Sequence, residues 1–351
     1  MDASKMVVIL VACVVVAGAV GAYFILSDDG EEGELKLAYL EKSGYEEIMV
    51  ADGKGYFDEL DFKVTLNAVS GSGADCVEQL MTGNVDIAST GEGPYINALA
   101  LHPNDVKIIG SYSVNTEGQM WVGRIGSGIV DPSTLSDSMT KDEKAQAVAD
   151  SMSGKKFGIL DGSSTHNMFK KWCAKYGLEM VEPGVSPTTT KYILMEYPAN
   201  GAALVERLAI DGGVDAIAAS NPFPINAIDK GYGYKIGSSL DLDLPSVAVF
   251  VTTKAVYDEK TEMIENFLRA MKKATDFMSD PENLEECLDI CAPRVNWTEN
   301  AQEIMFSTNT SKISFDDDIV AALVAGAGTK VTEAQIIASC PNKTFLTALY
   351  A

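Results

Sequence analysis

The chain has 351 residues, 46% hydrophobic and 22% charged, which leaves room for two domains with real cores and excludes a disordered tract or a small stapled scaffold. Fifty acidic residues against 27 basic ones give a net charge of −23, a surface that repels phosphate and excludes nucleic acid as a partner. Met6 to Leu26 then stands apart as 21 residues without a charge, long enough at 1.5 Å per residue to cross a bilayer core of about 30 Å. Lys5 precedes this run and the acidic SDDGEEGE (27–34) follows it, so the N-terminus is expected inside and the rest of the chain outside. Residues 1–33 thus read as a cytoplasmic tip, an N-terminal transmembrane helix (6–26) that anchors the chain in the membrane, and an acidic linker. A cleaved secretory signal is the alternative, and it would release the chain. Leu10-Val11-Ala12-Cys13 resembles a lipobox, but the apolar run continues 13 residues beyond Cys13.

Beyond the linker, ELKLAYL (34–40) predicts a strand, 43–57 a helix, FKVTLNAV (62–69) a strand, 70–84 a turn and helix, and VDIAST (85–90) a strand parallel to its predecessors. A helix over 91–104 and strands at 106–112 and 119–124 follow, before Gly123, Gly126 and Gly128 mark a join between two α/β blocks near 123–128. Residues 131–153 read as a surface insertion with helical spacing late in it. The alternation resumes with a strand at 155–160, a turn and helix over 161–177, a strand at 192–197 and a helix over 199–213. A strand at 214–220, a Pro-opened helix over 221–231, and strands at 234–239 and 247–253 complete it. The last hundred residues predict helices at 258–279, 281–291, 298–306, 316–327 and 332–339.

Five cysteines lie beyond the anchor (Cys76, Cys173, Cys287, Cys291 and Cys340), odd in number and irregular in spacing, which points to buried free thiols and leaves room for at most one bridge, to Cys340. Cys287 and Cys291 lack the second Cys or His pair of a zinc site, so no metal is expected. Sequons stand at Asn296, Asn309 and Asn342.

Three strand-to-helix turns have a composition that lets backbone N–H groups approach an anion: Ser70-Gly71-Ser72-Gly73, Thr90-Gly91-Glu92-Gly93 and Gly162-Ser163-Ser164-Thr165. Helix N-termini would serve here because Arg occurs only at 124, 207, 269 and 294. In open α/β sheets such turns lie where ligands bind, outside the carboxyl ends of the strands. Tyr45, Tyr95, Trp121, Trp172 and Phe223 flank them and could stack on a ligand, with Trp172 the best fitted to a core. No nucleophile triad, zinc-protease helix, phosphate loop or dinucleotide fingerprint occurs, so no catalytic residue and no cofactor is expected. His166 and Glu92 are the one acid–base pair that an enzyme reading could use.

At LKLAYL, GKGYFDELDFKVTLNAVSGSGADCVEQLMTGNVDIASTGEGP, GKKFGILDGSSTHNMFKKWCAKYGL and GGVDAIAASNPFP the sequence resembles the extracytoplasmic solute-binding proteins of ABC importers for nitrate, sulfonates, taurine and thiamine precursors, over roughly 34–280. The resemblance implies a type II periplasmic-binding fold: two α/β lobes, a ligand cleft between them and two hinge crossings, with 34–121 plus 246–351 as the first lobe and 122–245 as the second. It implies contacts at Ser43, Gly44 and Tyr45, at Ser70, Gly71 and Ser72, and at Thr90, Gly91 and Glu92. From the second lobe it implies Ser163, Ser164, Thr165, His166 and Asn221 to Phe223, and Trp121 flanks them. It further implies a monomer that takes a small anionic or zwitterionic solute and hands it to an ABC permease with its ATPase. Enzymes of pyrimidine and menaquinone-precursor chemistry resemble the same fold, and a ligand sensor is a third reading. Ser220-Asn221-Pro222 stands where many relatives have Trp or Asp before Pro, so the solute class does not carry over.

Overall fold

A computed structural model describes residues 33–350, so the apolar run 6–26 lies outside the described residues, and among the described residues no helix is long and apolar enough to cross a membrane. The apolar run that opens the described chain forms β1 (Glu34–Leu40), paired in parallel with β2 (Lys63–Val69) on one side and β3 (Ile87–Gly91) on the other. A strand buried on both faces reads as a continuous apolar run rather than as an alternation. The connections are α1 (Glu46–Gly53) and α2 (Gly73–Met81); α3 (Glu92–Leu101) then leads to β4 (Val106–Asn115). The antiparallel strands β11 (Ser246–Thr253) and β12 (Asn309–Ser314) return late from the chain to complete a six-stranded sheet, ordered β12-β4-β11-β3-β1-β2.

The second sheet contains β5 (Gln119–Arg124), β6 (Lys155–Ile159), β7 (Glu179–Val181), β8 (Tyr192–Glu196), β9 (Ala216–Ser220) and β10 (Gly233–Ser238), ordered β10-β5-β9-β6-β8-β7. Its helices are α4 (Lys141–Ser151), α5 (Ser164–Lys175), α6 (Gly201–Ala209) and α7 (Phe223–Asp229). The chain therefore forms two halves, and it passes from the first sheet to the second between Asn115 and Gln119 and back between Ser238 and Ser246. A cut at 121/122 falls inside β5, which pairs with β9 and β10 alone. The glycines that suggested a join near 123–128 instead end β5: Gly126 and Gly128 take the positive φ angles of the turn that follows it.

Alternation along β5 sends Trp121 to one face of the second sheet and Met120 and Val122 to the other. Trp121 is fully buried and meets Phe169 edge-on at 5.2 Å, so it belongs to the second core and is not a ligand wall as expected from sequence. Trp172 lies in the same core. The stretch 131–153 is more than a surface insertion, because α4 buries Ala145, Val148 and Ala149 there behind a capping box made by Thr140 and Glu143. The C-terminal segment adds α8 (Lys254–Met278), α9 (Leu284–Cys291), α10 (Glu299–Thr308), α11 (Asp317–Ala327), α12 (Glu333–Ala338) and α13 (Lys343–Ala348). β7, β12 and α13 had no clear sequence signal: NTSKIS is polar, and becomes a strand because the edge of β4 accepts it. The five cysteines beyond the anchor are all free and buried, while Cys13 lies outside the described residues.

Candidate functional site

Between the halves lies a cavity of about 50 Å³, room for roughly four water-sized groups. The first half lines it with Lys42, Ser43, Gly44 and Tyr45 from the loop after β1, with Gly73, Gly91 and Asn115, and with Ser246 and Ala248 of β11. The second half supplies Gly118, Gln119, Ser163, Ser164 and Ser220. The loops after β1, β3, β6 and β9 thus converge at the carboxyl ends of parallel strands.

Of the residues expected from sequence, the structure brings Ser43, Gly44, Tyr45, Gly91, Ser163 and Ser164 to this cavity. The others are held elsewhere. Ser72 is the N-cap of α2: its hydroxyl accepts from Ala74 N–H at 3.2 Å and donates to Asp75 at 2.9 Å, which leaves it no proton for a ligand. Ser70, Gly71 and Phe223 line a separate, more open cavity of about 310 Å³ beside Arg294, and Lys42 borders both. Thr90 is buried and its hydroxyl donates to Gly73 O at 2.9 Å. Glu92 does not line the cavity; it is buried, accepts from Val247 N–H at 3.2 Å, and burial raises its carboxyl pKa above the usual range.

In the second half Ser163 caps α5, accepting from His166 N–H at 3.1 Å and donating to Leu160 O at 2.8 Å. Thr165 shares a hydroxyl hydrogen bond of 3.0 Å with Ser220. His166 does not line the cavity; its Nδ1 accepts from Gly162 N–H at 3.1 Å and its ring lies 5.6 Å from that of Tyr197, while burial lowers its pKa so that the neutral imidazole dominates near pH 7. Asn221 fixes the crossing from behind, with Nδ2 donating to Glu117 O at 3.2 Å and its own N–H to Gly118 O at 3.0 Å.

The polar groups left without partners are the informative ones, and the sequence did not single them out. Lys42 is half-buried, makes no ion pair or hydrogen bond among the described residues, and sits 5.8 Å from the Tyr45 ring; burial pulls its pKa down to about 8, which still leaves it mostly charged at pH 7. Asn115 Oδ1 accepts from Glu117 N–H at 2.8 Å, but its Nδ2 has no partner. Gln119 Nε2 donates to Ser246 Oγ at 3.0 Å, and its Oε1 has none. Their position at strand ends was the available signal: Lys42 lies two residues beyond β1, while Asn115 ends a strand that runs three residues past the 106–112 expected from sequence.

The halves touch around the cavity. Gly93 N–H donates to Ser164 Oγ at 3.3 Å; a Cβ at Gly91 would stand 2.1 Å from Ser164 Oγ, and one at Gly93 2.9 Å from Ser164 Cα, so these glycines permit the approach. Lys171 of α5 donates to the carbonyls of Ala325 and Gly326 at the end of α11, and Lys330 reaches Asn97 and Asn167. On the far side Asn226 of α7 exchanges hydrogen bonds with Asn296 O and Thr298 N–H.

This architecture is that of the two-sheet periplasmic-binding proteins. It is similar to the aliphatic sulphonate binding protein SsuA of Escherichia coli at 17% identity, over 84% of this chain and 85% of that one, with a TM-score of 0.62. It is equally similar to the nitrate-binding protein NrtA of Synechocystis PCC 6803, at 15% identity over 91% and 88% of the two chains, TM-score 0.62. A C27S mutant of DszB in complex with biphenyl-2-sulfinic acid also matches, at 11% identity over 91% and 99%, TM-score 0.60. No curated protein matches the sequence. The model of the NMT1-like family matches residues 28–292, and the chain belongs to that family.

Proposed function

We propose that the chain is the solute-binding component of an ABC importer, which captures a small anionic or zwitterionic solute between two lobes and delivers it to a permease. The first lobe comprises β1–β4 with β11, β12 and the C-terminal helices, and the second comprises β5–β10. The observation that carries this reading is the interlobe cavity edged by Lys42, which has no ion pair or hydrogen bond among the described residues, and by Asn115 and Gln119, whose Nδ2 and Oε1 the fold leaves without partners. Buried polar groups are rarely left unpaired in folded proteins, so a site that collects them is built for something that completes them. Binding then favours the closed arrangement, because contacts from both lobes exist only when they meet. No bond is made or broken, and the His166–Glu92 pair of the enzyme reading has neither member on the cavity wall. The apolar run 6–26 would hold the chain at the outer face of the membrane, beside the permease.

The test is a thermal-shift screen of the full chain against nitrate, sulfonates, carboxylates and amino acids. A solute at about 100 times its Kd adds roughly 2.7 kcal/mol, a rise of about 2 °C or more for a chain of this size. Lys42→Met should weaken a bound anion about tenfold to a hundredfold, the range for a hydrogen bond to a charged group. Unchanged affinity in that variant would take the solute out of this cavity.

A further inference from the structure

We propose that the cleft selects small anions that also carry an N–H or O–H donor, and discriminates against anions that only accept, with Gln119 Oε1 as the selecting atom. The inference rests on the cavity being the solute site and concerns which solutes it takes.

Three groups of fixed polarity border the cavity without partners. Lys42 Nζ only donates. Asn115 Nδ2 only donates as well, and its orientation is fixed because Oδ1 accepts the Glu117 backbone N–H at 2.8 Å. These two suit the oxygens of an anion. Gln119 has the opposite polarity. Its Nε2 donates to Ser246 Oγ at 3.0 Å, and the same amide acts as a donor toward the Glu92 carboxyl, opposing the rise in pKa that burial causes there. The carbonyl oxygen is left without a partner in a side chain that is 1% exposed.

A buried acceptor is costly while unpaired, and a ligand that supplies a donor relieves it. A ligand that brings another lone pair there leaves the acceptor unsatisfied and adds repulsion, which is how a polar pocket rejects an analogue that lacks one N–H or O–H. The cavity volume of about 50 Å³ limits the solute in this closed arrangement to a few heavy atoms. Nitrate and acetate fit by size but bring no donor. Glycolate and glycine fit and bring one.

The experiment is titration calorimetry of the full chain with these four compounds. Glycolate or glycine should bind at least about tenfold tighter than acetate and nitrate, as one satisfied buried acceptor implies. In Gln119→Met the ratio should fall to within about threefold, while Lys42→Met should weaken all the anions together. Acetate or nitrate binding the wild-type chain as tightly as the donor-bearing compounds overturns the selection and leaves capture standing. A ratio that survives Gln119→Met overturns the assignment to that atom, and the wild-type ratio decides the selection even if the variant fails to fold. Silence with all four, in a chain that melts cooperatively, overturns the solute site at this size and the selection with it.

Discussion

The two sides of the cleft treat their helix N-termini in opposite ways. On the first side every helix that begins near the cavity carries its own carboxylate in the first turn: Glu46 and Glu47 on α1, Asp75 on α2, Glu92 on α3. On the second side α5 has no acidic residue in its first turn. A carboxylate at a helix N-terminus occupies the place and the field that a bound anion would use. Under the proposed function the first side would therefore meet a solute through Lys42, a side-chain cation, and the second through the start of α5. Turns of nearly the same composition, Ser70-Gly71-Ser72-Gly73 and Gly162-Ser163-Ser164-Thr165, have thus come to different ends, and the residue that separates them is Asp75.

The largest expected effect comes from wedging each turn in its own way. Gly93→Val places a Cβ 2.9 Å from Ser164 Cα and 2.6 Å from Asn167 Nδ2, which keeps the start of α5 away from α3. If closure over α5 completes the site, solute affinity should fall about a hundredfold through loss of the closed population, and small-angle scattering should show a larger radius of gyration with solute present. Gly71→Ala places its Cβ 2.3 Å from an Asp75 carboxylate oxygen. That should disturb the cap of α2, cost about 1 kcal/mol of stability and leave affinity alone. The reverse pattern would make α2 the working terminus.

This contrast also shows where the sequence was legible. That β1, β2 and β3 run parallel followed from apolar runs separated by helical spacing, since local periodicity and the rule for parallel crossovers decide it, while their order β2-β1-β3 came only with the fold. The place of the cavity followed in part from the Gly/Ser turns, since Gly73, Gly91, Ser163 and Ser164 reach it at the carboxyl ends of the strands while Ser70, Gly71 and Ser72 do not. Which residues face the cavity was legible only in part: Ser43, Gly44, Tyr45, Gly91, Ser163 and Ser164 reach it, and the other expected residues do not. Ser72 is taken up by Asp75 three residues on, and Trp121 turns to the core by the parity of its strand; both are settled by packing against elements far away in sequence. Gln119 and Asn115 stand out only in the fold, where each leaves one buried atom without a partner beside the cavity.

A middle-sized effect tests the carboxylates of the first side through pH. Glu46 is buried, with Glu47 beside it; burial first and the neighbouring charge second raise its pKa well above the carboxylate range, despite the Gly44 N–H that it accepts at 2.6 Å. A raised folded-state pKa means that the folded chain holds the proton more tightly than the unfolded one. This contribution to stability is complete below pH ~4.5 and is lost as pH rises through the folded-state value. The melting temperature should therefore decline from mildly acidic to mildly alkaline pH, and Glu46→Gln, which keeps the shape without the ionisation, should flatten the decline. A wild-type curve that rises over the same interval would show these carboxylates ionised and paired.

The smallest effect isolates the cap itself. Ser72→Ala removes the hydroxyl that accepts Ala74 N–H and donates to Asp75, and should cost about 1 kcal/mol, a drop of about 1–2 °C in the melting midpoint of a chain this long. Solute affinity should not change, because Ser72 lines neither cavity and its hydrogen is already committed. Ser164→Ala is the matched change on the other side: its hydroxyl accepts Gly93 N–H across the cleft and caps nothing, so it should leave stability nearly unchanged and weaken the solute severalfold. Two serines at corresponding turns would then move two different observables, one the melting point and the other the affinity. An affinity loss in Ser72→Ala as large as that in Ser164→Ala would mean that α2 unlocks its cap to meet the solute, and that Asp75 yields its place to the anion when the lobes close.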